Sequence, residues 1–181
     1  MILLLVLGCG DKVAESTELW DNPGAESTAS WAAAEGLAWC QDEWQSDAHI
    51  VSVFRLPDTS WSVLAFSEAD PDTICNWSAY ISIDAEPIGE LIDGAEYTPE
   101  WTYGAGDSMS GWAVDSDQVM ADLSLGEHDF FWLTPASHRR QAGYESELAD
   151  VDDDLPVILA AEGMSGPEYY LIDGRTGEPL N

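Results

Sequence analysis

Two short passages of the chain share a pattern. Ile83-Asp84-Ala85-Glu86-Pro87-Ile88-Gly89-Glu90-Leu91 resembles Ile172-Asp173-Gly174-Arg175-Thr176-Gly177-Glu178-Pro179-Leu180, with one inserted residue between the two versions. Each follows an aromatic-rich strand signal, with Tyr80 in the first and Tyr169-Tyr170 in the second. Another apolar strand signal precedes each, Ser62 to Phe66 and Val157 to Ala161, and a helix signal lies further upstream. Recurrence of the whole order, helix, strand, strand and Ile-Asp turn, predicts a duplicated helix-on-sheet unit. In this alignment Cys75 falls in an insertion of the first unit.

The local signals fill in that outline. Ser30 to Trp44 is the first helix candidate, because Ala33, Leu37, Cys40 and Trp44 recur at helical spacing and share one face. Gly36 in its middle costs about 1 kcal/mol relative to Ala. His49 to Leu56, Trp61 to Phe66 and Trp77 to Ile83 are short runs rich in β-branched and aromatic residues. Pro57-Asp58 and Asp70-Pro71-Asp72 separate them. Trp101 to Tyr103 and Gly111 to Val114 are further strand candidates. Asp115-x-x-Gln118 has the form of a capping box for a short helix from Asp117 to Leu125, which Gly126 stops. His128 to Leu133 is predicted as a strand and 145–154 as an acidic loop. Leu155 to Ala161 and Glu168 to Asp173 form a closing hairpin. The predicted class is α+β, a helix packed on antiparallel sheet in two units.

Charge narrows the partners. The 181 residues carry 35 Asp and Glu against 5 Lys and Arg, a net charge of -30, yet 45% are hydrophobic and nine are Trp. That apolar share is ample for a core, so the acid load does not disorder the chain as a whole. It argues strongly against nucleic acid as a partner, since nothing here could neutralise phosphates. It also disfavours docking of the folded surface on anionic lipid.

The first seven residues, Met1 to Leu7, are an unbroken apolar run, too short to span a bilayer and of the kind found in a secretory signal. Val6-Leu7-Gly8-Cys9 resembles a bacterial lipobox, which implies that Cys9 is lipidated and that the chain begins there after processing. By the same resemblance, Gly10 after the cysteine implies sorting to the outer membrane. Lipidation of Cys9 leaves Cys40 and Cys75 as an even pair, and an oxidising compartment favours one disulfide between them. Its loop is worth about 3–4 kcal/mol in the chain-entropy model.

The ending Tyr170-Leu171-Ile172-Asp173-Gly174-Arg175-Thr176-Gly177-Glu178 resembles the terminal hairpin of PepSY-type domains. Trp44-Gln45-Ser46-Asp47-Ala48-His49-Ile50-Val51-Ser52-Val53 and Trp112-Ala113-Val114-Asp115-Ser116-Asp117-Gln118 are similar to segments of bacterial lipoproteins built from two such units. This resemblance implies tandem cystatin-like modules outside the cytoplasm, sometimes associated with protease inhibition or propeptide function, and supplies no catalytic residues. The chain then divides into a signal at 1–8, an acidic tether at 9–29 and two α+β units at 30–95 and 96–181.

No motif carries chemistry. His49, His128 and His138 form no HExxH-like pair, and there is no nucleophile elbow, P-loop or dinucleotide-binding glycine pattern. No cofactor is expected. Asp150, Asp152, Asp153 and Asp154 offer oxygen ligands for Ca²⁺ but lack the glycine and distal Glu of an EF-hand loop, so a solvated loop is favoured. Arg139-Arg140 is expected to pair with Glu145 and Glu147. The tryptophans are expected mainly in the core, with Trp31 and Trp101 the first to inspect for a glycan platform. The leading expectation is a non-enzymatic, lipid-anchored lipoprotein of the periplasm or outer membrane that binds a protein or peptide at a sheet edge. A cell-surface glycan or Ca²⁺ module is the alternative, and a secreted hydrolase is less favoured.

Overall fold

A computed structural model of the chain describes residues 28–55, 60–80, 85–93, 109–126, 129–162 and 169–180. The signal, Cys9, most of the tether, Trp101 to Tyr103, His128, and Ile83 and Asp84 of the first repeat copy lie outside them.

Helix α1 (Ala29–Glu43) leads into the antiparallel strands β1 (His49–Arg55), β2 (Ser60–Phe66), β3 (Thr73–Tyr80) and β4 (Ile88–Asp93). Helix α2 (Ser116–Asp122) precedes β5 (Phe130–Pro135), and a single turn, α3 (Ala136–Arg139), continues into a π-helical turn at Arg140–Tyr144. The hairpin β6 (Pro156–Ala161) and β7 (Tyr169–Asp173) ends the chain. The seven strands among the described residues form one sheet in the order β4-β3-β2-β1-β5-β6-β7. Its two halves join where β1 pairs antiparallel with β5, Phe54 opposite Trp132.

The expected α+β class, helix on antiparallel sheet, is what the structure has. α1 and α2 lie on one face over Val53, Trp61, Val63, Trp77, Phe131, Leu133, Ile158 and Ile172. Alternate residues of β5 to β7 face the other way, where Leu148, Leu155, Val157, Leu159 and Leu171 form a second cluster under the 136–155 segment. Two-sided burial explains why β2 and β6 are apolar without clean alternation: every residue of both is buried.

The helices begin beside one another. Thr28 caps α1, its hydroxyl accepting from Trp31 N at 3.2 Å. Across the junction Ser116 Oγ accepts from Ala29 N at 2.9 Å, and Asp115 Oδ1 accepts from Ser30 N at 3.1 Å and from Ser116 N at 2.6 Å. One carboxylate thus serves both helix N-termini, where the backbone dipoles favour negative charge. This replaces the expected capping box, because the Gln118 side chain turns away to donate to Asp122 at 2.8 Å.

Several expectations need correction. The buried face of α1 is Ala29, Ala32, Ala33, Gly36 and Cys40, while Leu37 and Trp44 are only half-buried. The stripe is one of small side chains, because α1 lies very close to the sheet. The third strand begins at Thr73 instead of Trp77, so Cys75 sits inside β3 opposite Ala65 and not in an inserted loop. Gly111 to Val114 joins no ladder, although Ala113 N and Val114 N both donate to Gly174 O, at 2.9 and 3.0 Å. Ile88 to Leu91, expected as part of a turn motif, runs as β4 along β3.

Candidate functional site

The two outer strands are finished differently. Beyond β7 the chain closes a turn on itself. Asp173 Oδ1 accepts from Arg175 N and Thr176 N at 2.7 and 3.2 Å, and Gly177 supplies the left-handed conformation (φ +80°) that closes it. The last residues then fold back along β7: Ile172 bridges Pro179 and Leu180 N donates to Leu171 O at 2.7 Å. The outer side of β7 is therefore occupied by the protein's own tail.

β4 is the last strand on the other side among the described residues. It carries Ile88 and Leu91, 59% and 50% exposed, and Tyr80 of the adjacent β3 is 39% exposed. Glu86, Glu90 and Asp93 are exposed along it. Exposed apolar side chains on an end strand are unusual, since edges are ordinarily blunted by lysine, proline or a bulge.

The strand is firmly held from within. Ser62 Oγ donates to Asn76 Oδ1 at 2.8 Å, and Asn76 Nδ2 donates to Glu90 Oε1 at 3.0 Å, a polar ladder from β2 through β3 to β4. On the opposite face the Trp39 ring lies against Gly89, where an added Cβ would come within 2.2 Å of it. Glycine here is required by close packing, so β4 is pinned by a helix side chain.

The residues singled out in the sequence are dispersed. Cys40 and Cys75 are bonded, with Cα atoms 6.0 Å apart, tying α1 to β3. Asp153 pairs with Arg140. Asp154 accepts from Ser110 Oγ and from Arg175 Nη2, the latter at 3.1 Å, and Asp152 lies 4.0 Å from Arg175. Asp150 stands exposed apart from this clasp. Among the described residues no three His, Cys, Asp or Glu side chains converge as metal ligands would. The Ser110 hydroxyl, then Arg175, hold the Asp154 carboxyl below the ordinary carboxylate range.

The arginine expectation was wrong in its partners. Arg140 donates to Leu148 O, Val151 O and Asp153, organising the acidic loop, and not to Glu145 or Glu147. Glu147 takes the Ser146 hydroxyl at 2.5 Å and the Tyr169 hydroxyl at 3.3 Å. Arg139 is fully buried with its guanidinium 4.1 Å from the centroid of Trp132, and His138 is buried beside the same ring. None of the seven described tryptophans is exposed: Trp31 packs edge-on to Trp77 at 5.9 Å, and Trp44 Nε1 donates to Asp70 at 3.0 Å.

β4 is what the sequence reading missed. Its sequence Ile88-Gly89-Glu90-Leu91-Ile92-Asp93 has no strict apolar/polar alternation, and three apolar residues in six after Pro87 were its only signal. No protein-family model, curated protein or solved structure matches this chain.

Proposed function

We propose that the protein is a non-enzymatic lipoprotein, anchored to the bacterial envelope through Cys9, that captures an extended protein or peptide segment by strand addition along β4. The observation that carries this reading is the β4 edge, with Ile88 and Leu91 exposed on an end strand held rigid from behind. Main-chain pairing gives affinity in this mode, and pockets for alternate side chains give selectivity. Glu86, Glu90 and Asp93 favour a segment carrying Lys or Arg between apolar residues.

The reading extends to two tandem PepSY-like, cystatin-like units. It is supported by the shared order of helix followed by antiparallel strands on either side of the β1–β5 pair. It is also supported by the way the later part of each repeat passage folds back, as β4 on β3 and as residues 178–180 on β7. The anchor rests on the apolar run and Cys9 alone.

A photo-crosslinker at Leu91 tests the surface in the native envelope, with the same group at Glu178, beside the occupied β7 edge, as control. Crosslinking of one partner at Leu91 only, with protection of β4 amides by that partner's segment and loss on Ile88→Lys, is expected. Equal labelling from both positions would overturn strand addition. Intact mass of membrane-extracted protein checks the anchor: Met1 retained with unmodified Cys9 removes it.

A further inference from the structure

The helix side of the sheet is covered unevenly. α1 is fifteen residues long and reaches across β1, β2 and β3 to Gly89 of β4. α2 has only seven residues and ends at Asp122, so an open cleft of about 250 Å³ remains between it and β7. Its walls are apolar: Val114, Val119, Leu123, Tyr170, Ile172 and Pro179. Thr176 and Gly177 of the terminal turn close one end, and a Cβ at Gly177 would stand 3.5 Å from Val114 Cγ2.

Among the described residues one charged group lines this apolar space. Asp122 sits on the last residue of α2, where the helix dipole is negative. Gln118 Nε2 donates to its Oδ2 at 2.8 Å, which orients the carboxylate, and no described residue donates to the other oxygen. Among the described residues no basic side chain lines the cleft. An anion would meet Asp122 without compensation, and a neutral apolar molecule would desolvate it without a partner.

We propose that this cleft binds a small amphipathic cation, an apolar body of one ring or short chain bearing a single ammonium that pairs with Asp122. A dry cavity of about 150 Å³ accommodates benzene, so the larger space here admits a ring with a short arm. The cleft is separate from β4, and its occupancy does not depend on strand addition there.

The test is an NMR titration of the full chain in 0.5 M NaCl, which screens the general field of the acidic surface. Phenethylammonium is the probe, with 2-phenylethanol and 3-phenylpropionate as neutral and anionic counterparts. Amide shifts confined to 114–123 and 170–179 are expected, with a dissociation constant on the order of 1 mM for so small a ligand. The alcohol should bind about fivefold or more weakly and the anion not at all, as expected for a charge-assisted contact. Asp122→Asn should reduce phenethylammonium affinity to that of the alcohol and leave the alcohol unchanged. Thr176→Trp, at a second exposed position, should block both. Shifts scattered over the acidic surface, or an affinity indifferent to Asp122→Asn, would overturn the proposal.

Discussion

Two residues fix how closely α1 approaches the sheet. At Gly36 an added Cβ would stand 2.8 Å from Val63 Cβ, and at Gly89 the Trp39 ring occupies the space itself. By helix propensity alone Gly36→Ala should stabilise by about 1 kcal/mol. Overpacking against a buried strand costs about 1–3 kcal/mol, and Val63, fully buried in β2, has little room to yield. Gly36→Ala should therefore lower stability by roughly 1 kcal/mol net, read as a lower urea midpoint; a higher one would mean that the helix can lift. Titration offers a second test at this scale. Ser110 and Arg175 hold the Asp154 carboxyl below its ordinary range. A carboxyl depressed in the folded state stabilises above its unfolded value and loses that contribution as pH falls through the folded one. Ser110→Ala should move the Asp154 carboxyl titration upward, toward an ordinary aspartate, in a ¹³C NMR titration. An unmoved curve would assign the shift to Arg175 alone.

Among the elements, α1 depends most on a single tertiary link. Its buried stripe of Ala, Gly and Cys brings little apolar area of its own, and the large side chains Trp31 and Trp39 lie at its flanks. The Cys40–Cys75 bond closes a separation of 35 residues, worth about 3–4 kcal/mol through the unfolded chain. A Cys40→Ser, Cys75→Ser double variant should lose about that much in equilibrium denaturation. Reduction of the parent should lower its midpoint in the same direction, and a shift near zero would mean that packing alone holds α1 in place. Both cysteines and the helix were evident from spacing and parity. The location of Cys75 within β3 was not, because Thr73-Ile74-Cys75-Asn76 follows directly on the turn at Asp70-Pro71-Asp72 and looks like its continuation. β4 was hidden for a related reason. Six residues with one glycine make a weak strand in isolation, and they become one because β3 offers a partner and Trp39 requires a glycine beneath it.

For the whole molecule the distribution of positive charge matters more than its amount. Lys12 lies outside the described residues, which leaves four arginines to set against the acids. Arg139 is fully buried, the side chains of Arg140 and Arg175 are 19% and 31% exposed, and Arg55 is half-buried in β1. The bases are drawn inward to organise the 136–155 segment and the terminal turn, while most of the described carboxylates are exposed. Self-repulsion of such a surface destabilises the compact state, and salt relieves it. The thermal midpoint should rise by about 5 °C or more between 20 mM and 1 M NaCl, since a few screened arginine pairs are outweighed by many screened repulsions. A flat or falling midpoint in calorimetry would show that the acids are spaced beyond one another's reach.

The sequence by itself determined the α+β class, most strand positions and the cysteine pairing. These follow from residue type and short-range periodicity. Burial on both faces was harder to recognise, although unbroken apolar runs such as Ser62 to Phe66 carried its trace. Only the tertiary structure decided that the strands form one sheet joined at β1 and β5, that Arg139 stacks under Trp132, and that Arg140 grips the 148–153 loop. It alone leaves β4 with exposed apolar side chains while the tail covers β7. Those outcomes depend on which elements meet across the fold, and side chains far apart in the chain have no local pattern that records their contact.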